Sequence, residues 1–184
     1  MKKSLTLLVL TLLTTLPALA QDKNVGYLRT KVSPWAAGVF VDGNYKGTAE
    51  MFGSRSRMIN LAPGTYDVEL VDPRYKTLKL RVSIEAGKTS TIRRSMEPLG
   101  TKAEGPFGEL VTEGFGNSAV YLDGAYYANS SEISSDSRAL LLSPGNYTMR
   151  IVAEDGATVR EDKISINADE TLILSRTAAA VRRR

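Results

Sequence analysis

The chain has 184 residues and a net charge of +4, and it contains neither histidine nor cysteine. That composition removes Ser-His-Asp and Cys-His catalysis, imidazole metal sites, disulfides and a lipid-modified cysteine, so no catalytic residue, metal ligand or cofactor is expected. The charge is split, with +5 over residues 21–100 and −3 over residues 101–184. Such a split can dock one half on the other or order neighbouring molecules, and it can equally reflect two separately solvated surfaces.

Lys2 and Lys3 precede an apolar run from Leu5 to Leu16, and Pro17 then leads to Ala18-Leu19-Ala20. A charged start, an apolar stretch well short of the ~20 residues a spanning helix needs, and a small-residue end read as a cleavable secretory signal over residues 1–20. The mature chain then begins at Gln21, with no transmembrane segment after cleavage. Export places the protein in the periplasm or on the cell surface and makes nucleic acid an unexpected partner.

The next elements are strands. Leu28, Thr30 and Val32 share one face of an alternating run from Gly26 to Val32, which Ser33-Pro34 ends. Val39 and Val41 flank Phe40, and Asp42-Gly43 is a hairpin turn into a short arm through Tyr45 to Gly47. Pro63-Gly64 punctuates a second strand pair, Met58–Leu61 before it and Tyr66–Leu70 after it. Leu78, Leu80, Val82 and Ile84 give the cleanest period-two run, and Ala86-Gly87-Lys88 turns it into Thr89–Ile92. The expected core is Leu28, Val39, Val41, Leu61, Tyr66, Val68, Leu70, Leu78, Leu80, Val82 and Ile84. Helical periodicity is absent. Six or seven short strands with turn residues between them predict a small antiparallel sandwich.

The same landmarks return. Val39-Phe40-Val41-Asp42-Gly43 recurs as Val120-Tyr121-Leu122-Asp123-Gly124, and Leu61-Ala62-Pro63-Gly64-Thr65-Tyr66 as Leu142-Ser143-Pro144-Gly145-Asn146-Tyr147, both at an offset of 81. Gly26–Thr30 and Val82–Ile84 recur at an offset of 82, so single-residue changes belong in loops between strands. A period this long is a whole small domain, not a solenoid unit of roughly 20–50 residues. The fold is therefore predicted as all-β: two tandem small antiparallel β-sandwich domains after a cleavable signal peptide. Their spans are 21–97 and 108–177, with a Gly/Pro-bearing linker at 98–107 and a disordered basic tail at 178–184.

An apolar-aromatic-apolar-Asp-Gly strand, a short arm, Leu-x-Pro-Gly-x-Tyr and a closing alternating strand resemble the PEGA domain. The resemblance covers residues 26–97 and again 108–177. It implies a small all-β, non-catalytic module of exported bacterial proteins, including cell-envelope and surface-layer-type proteins, without an agreed ligand.

The turn residues Asp42, Gly43, Pro63, Gly64, Asp123, Gly124, Pro144 and Gly145 read as structural. Asp42 and Asp123 lack the closely spaced oxygen ligands of a calcium loop, so no metal is expected. Glu154-Asp155, Glu161-Asp162 and Asp169-Glu170 read as solvated turns and edges, because adjacent carboxylates on a strand face opposite sides. Trp35, Tyr45, Tyr126 and Tyr127, with Phe52, Phe107 and Phe115, either stack on sugars, anchor a protein partner, or plug the open ends of the two cores. Arg55 and Arg57, with Arg93, Arg94 and Arg182–Arg184, are candidate contacts to anionic envelope polymers or are simply solvated. The serine-rich stretch Asn129–Ser137 reads as a flexible surface insertion. The function expected is an exported structural or protein-interaction module of the envelope, its partner an envelope protein or a cell-wall or surface polymer. A glycan-binding module using exposed aromatics is the alternative.

Overall fold

The computed structural model describes residues 24–100 and 104–183, and the expected signal at residues 1–20 lies outside them. Strand β1 (Gly26–Ser33) buries Leu28 and Thr30 on its inner face, as its alternation requires. β2 (Gly38–Val41) and β3 (Asn44–Thr48) form the hairpin around Asp42 (φ 48°) and Gly43 (φ 77°). Positive φ at both central residues is the type I′ turn, whose twist matches that of the strands it joins. The Asp42 carboxylate also accepts the Asp67 N–H at 2.8 Å, and the Asp42 N–H donates to the Asp67 carbonyl at 2.8 Å. The aspartate thus bolts the hairpin to β5 (Gly64–Val71) as well as turning it.

β4 (Ile59–Leu61) pairs with β1, while β5 lies between β2 and β6 (Leu78–Ile84) in a different sheet. Pro63-Gly64 is therefore not the turn of a strand pair but the crossing between sheets. Proline has no N–H to offer a ladder, which suits it to a chain leaving one. Tyr66 closes the corner by donating its hydroxyl to the Ala62 carbonyl at 2.9 Å, and Tyr147 does the same to Ser143 at 2.8 Å. That bond is the physical content of the Leu-x-Pro-Gly-x-Tyr spacing.

Ala86-Gly87-Lys88 likewise crosses sheets, delivering β7 (Thr89–Ser95) beside β1 in parallel register from Tyr27↔Thr89 to Ser33↔Ser95. The sandwich is thus mixed, not purely antiparallel, because the strand that arrives after the crossing runs in the direction of β1. The first half stacks a sheet of order β4-β1-β7 on one of order β3-β2-β5-β6. Leu28, Val39, Val41, Val68, Leu70 and Ile84 are buried between them. Leu61, Leu78, Leu80 and Val82 are only half-buried, because β4 and β6 are edge strands with one flank open, and Tyr66 is half-buried because it stands at the exposed crossing that opens β5.

The second half repeats this order and pairing with β8 (Gly108–Glu113), β9 (Ala119–Leu122), β10 (Ala125–Asn129), β11 (Leu140–Leu142), β12 (Gly145–Val152), β13 (Thr158–Ile166) and β14 (Glu170–Ser175). Val41 and Leu122 are equivalent and both buried, and β14 runs parallel to β8 as β7 does to β1. Its hairpin has the same backbone (Asp123 φ 50°, Gly124 φ 83°), and the Asp123 carboxylate holds the Thr148 N–H at 2.8 Å. The one-residue insertion after Tyr147 is absorbed partly in a strand: pairing slips where Ile151 faces Arg160 and Val152 faces Thr158, leaving Val159 as a bulge.

Two expectations are corrected here. The tail is not disordered: Ala179–Arg183 forms β15, antiparallel to β14, with Arg183 paired to Glu170 at 2.9 Å and Arg182 paired to Asp136. The strand lies along the outer edge of β14, a place that no strand takes in the first half. Asn129–Ser137 is not a loose insertion either. Asn129 ends β10 and caps a 3₁₀ turn, its Oδ1 accepting the Ser131 N–H at 2.8 Å, and Ile133 from that turn enters the core. Among the described residues helical structure is limited to three 3₁₀ turns, and no helix is long and apolar enough to cross a membrane.

Gly43→Val places a β-branched side chain at positive φ, with nothing around it to clash. The cost is backbone strain alone, on the order of 1–3 kcal/mol, read as a lower urea midpoint. Added calcium is expected to leave that midpoint unchanged, and a calcium-dependent rise would contradict the turn reading.

Candidate functional site

With Val39 and Val41 turned into the first core, strand alternation leaves Gly38 and Phe40 facing outward. Val120 and Leu122 likewise leave Ala119 and Tyr121 outward on β9. Both outer faces are apolar, and the two halves cover them with each other. Phe40, Tyr45 and Tyr126 form a three-ring cluster, with centroids 5.4, 5.5 and 5.6 Å apart, and Tyr121 lies 6.1 Å from Tyr126. The Phe40–Tyr126 pair meets edge to face at 86°, the arrangement that ring quadrupoles favour. Gly38 is required by a close approach, since a Cβ there would lie 2.7 Å from the Tyr126 ring.

Asn129, 1 % exposed, donates its Nδ2 to the Tyr45 hydroxyl across this interface at 2.7 Å. Burial pushes the Tyr45 and Tyr126 hydroxyls far above their ordinary range, so both stay protonated. Tyr45 adds to the shift at Tyr126, yet no hydrogen bond of sound geometry joins the two hydroxyls, and the buried Tyr126 oxygen lacks a partner. Tyr45 and Tyr126 are therefore corrected from exposed ligand contacts to the interior of an interface, at 4 % and 6 % exposure. Among the described residues each ion pair stays within one half, so no salt bridge ties the two charge surpluses together.

Beside the ring cluster the halves leave a cleft of about 590 Å³, floored by Phe40, Val71, Tyr75, Tyr126 and Tyr127. Glu69, Asp72, Thr77 and Lys79 give it a polar rim. That rim is pre-organised. Lys79 meets Glu69 at 2.9 Å, and the buried Asp72 carboxylate takes the Arg74 backbone N–H at 2.9 Å and its guanidinium at 3.0 and 2.8 Å. The hydrogen bond to Asp72 raises the Arg74 pKa, and the guanidinium lies 5.9 Å over the Tyr75 ring. Tyr127, half-buried, packs against the second core while lining the cleft.

Trp35 is 60 % exposed and borders a separate hollow of about 260 Å³ with Glu50, Met51, Glu132 and Arg138. There burial, then the charges of Glu50 and Asp72, push Glu132 up to about 7 against the pull of Arg74 and Arg138. Arg55 and Arg57 are exposed on the loop before β4, away from both cavities. Phe52 and Phe115 plug the two cores, and Phe107 lines a small hollow beside Leu141.

The family described as PEGA domain matches residues 26–99. This part of the chain is a PEGA domain. The match does not extend to residues 108–183, which form a similar all-β unit built in the same strand order. No curated protein matches the chain. Among solved structures, the Bacillus anthracis TIE protein is 16% identical over 83% of this chain and 33% of its own, with a TM-score of 0.29. The Bacteroides ovatus mixed-linkage glucan utilization locus SGBP-B, in complex with a mixed-linkage heptasaccharide, is 17% identical over 86% of this chain and 46% of its own, with a TM-score of 0.22. The chain thus spans under half the length of either.

The aromatic seam joins the PEGA domain to the unit that follows it. Sequence reasoning named Tyr45, Tyr126 and Tyr127 but missed Gly38, Phe40, Val71, Tyr75, Tyr121, Asn129 and Glu132. A signal was present: an aromatic at 40 and again at 121, on the face opposite buried neighbours, marks a strand covered on both sides.

Two substitutions separate the hydroxyls of the seam. Asn129→Ala strips the Tyr45 hydroxyl of its buried donor and the Ser131 N–H of its cap, and is expected to cost at least about 1–3 kcal/mol in urea unfolding. Tyr126→Phe removes an oxygen that has no partner and is expected to leave stability unchanged or raise it. A third test is by pH. The folded chain holds Glu132 protonated up to about 7 against an ordinary 4.5, so its ionisation disfavours the fold. Stability from this group is full below pH 4.5, falls as pH rises through about 7, and levels off above. Glu132→Gln flattens that decline in a melting-temperature series across the same range.

Proposed function

We propose that the chain is an exported, non-catalytic structural or protein-interaction module of the bacterial cell envelope, acting in the periplasm or on the cell surface. The modules are 21–97 and 108–177, held as one two-lobed body. The observation that carries this reading is the buried aromatic seam, which joins the two small sandwiches and leaves a cleft beside it. PEGA domains are generally non-catalytic, no enzyme family matches, and a chain without histidine or cysteine lacks the usual nucleophile–base pairs. A cleft of this size falls within the ~300–1,000 Å³ range of binding sites, with an apolar floor and a few fixed polar groups. Tyr75 and Tyr127 are its accessible rings, and Trp35 is a second, separate anchor.

That floor also favours a second reading, a cell-wall or surface glycan stacked on Tyr75 and Tyr127. Pull-down of isolated envelope with residues 21–184 distinguishes the two. Capture that protease treatment of the envelope abolishes, and that Tyr75→Ala or Tyr127→Ala weakens at least tenfold, supports a protein partner. Capture abolished only by glycan digestion moves the function to the second reading. Retention unaffected by either ring substitution removes the cleft, leaving Trp35→Ala, Arg55→Ala and Arg57→Ala to be tried on the outer surface.

A further inference from the structure

The positive charge of the first half gathers on one sheet. Leu28 and Thr30 turn inward on β1, so strand alternation points Arg29 and Lys31 outward from the β4-β1-β7 sheet. Ile92 turns inward on β7, and Arg93 stands outward directly beside Lys31 in the parallel register. Arg94 is exposed at the same end of β7. Arg55 and Arg57 lie on the loop that leads into β4, and Arg29 ties that loop to β1 by donating its Nε to the Gly53 carbonyl at 2.9 Å. The segments that supply these six cations, residues 26–33, 53–61 and 89–95, hold no acidic residue. Among the described residues none of the six has an ion pair, whereas Arg74, Lys76, Lys79, Arg81 and Lys88 each meet a carboxylate.

We infer that this face is a docking surface for an anionic lipid membrane. Lys31 and Arg93 are like charges set side by side on neighbouring strands, an arrangement that costs the sheet stability until an anion lies over it. The fold does not require it. At an offset of 82 the counterpart of Lys31 is Glu113 and that of Arg93 is Ser175, paired in the same parallel register. Nor do the six cations build a pocket. The cleft and the Trp35 hollow are lined by other residues, and a sheet face spreads its charges over a plane where a small-molecule site would be concave. A plane of phosphate headgroups is the anionic partner of matching shape, and each Lys or Arg held near such a surface strengthens binding about fivefold. The carboxylates that flank β7 in sequence, Glu85 and Glu97, are each held by a lysine, and Glu50 lies in the Trp35 hollow. The inference concerns the outer sheet of the first half and stands apart from the ligand of the cleft.

The test is flotation of residues 21–184, which hold both cores entire, with vesicles of phosphatidylcholine alone or with about one-third phosphatidylglycerol. Capture by the anionic vesicles alone is expected at about 0.1 M salt, with release near 1 M, where the Debye length falls to about 3 Å. Lys31→Glu and Arg93→Glu are each expected to weaken capture at least tenfold. Both are expected to keep or raise the melting temperature, because either change turns the Lys31–Arg93 repulsion into an opposite-charge pair, so the loss reports docking and not unfolding. Arg81→Glu makes the same change in net charge on the opposite sheet and is expected to leave capture within about twofold. Equal capture by both kinds of vesicle would overturn the inference, as would full capture in Lys31→Glu and Arg93→Glu, or a loss in Arg81→Glu as large as theirs. Beads coated with polyphosphate that retain the chain more strongly than anionic vesicles at equal phosphate would overturn the lipid assignment and give the face to a polymer.

Discussion

The Tyr126 ring occupies the space that a side chain at residue 38 would fill, and the arrangement of the whole chain depends on that contact. Each half closes its own core between two sheets, so the cores alone say nothing of how the halves meet. What joins them is a second layer of apolar residues on the outer faces of β2 and β9. Aromatic pairs contribute about 0.5–1.5 kcal/mol each beyond the area they bury, so a seam with several of them holds two small domains together without any ion pair. Surface charge is a weaker tie, worth roughly 0–1 kcal/mol per exposed pair, and among the described residues no ion pair crosses the seam.

The turns follow the same economy of parts. Asp42 and Asp123 supply the left-handed backbone that a two-residue hairpin demands, and their carboxylates fasten the hairpin to the neighbouring strand. Tyr66 and Tyr147 fasten the crossing between sheets. Residues that look like loop punctuation in sequence are therefore the bolts of the sandwich. Among the described residues, the rings of Tyr75 and Tyr127 in the cleft and the exposed Trp35 take no part in this fastening.

The strands, their alternation and the repeat were legible because period-two burial and turn chemistry are local properties. Sheet membership was not. Pro63-Gly64 and Ala86-Gly87-Lys88 have the composition of hairpin turns, and only the long-range pairing of β4 and β7 with β1 shows that they cross between sheets. The tail read as disordered because Ala-Ala-Ala-Val followed by arginines lacks a core face. A strand that only extends an edge needs none. In the site, Tyr45 and Tyr126 were visible as aromatics, but exposure is decided by a partner surface 81 residues away. Phe40 carried the missing hint, an aromatic where a one-faced strand would place a polar residue.

The parallel pairing of β1 with β7 has a mechanical consequence. The chain enters the PEGA domain at the start of β1 and leaves at the end of β7, and these points lie at opposite ends of two strands bonded side by side over seven register positions. Tension pulled through the backbone loads those bonds in shear, all at once, whereas a hairpin such as β2–β3 pulled at its open end unzips one bond at a time. Each strand pair of this kind is a clamp set across the direction of load, and the topology that complicated the reading of the sandwich equips the domain to bear force along its own chain.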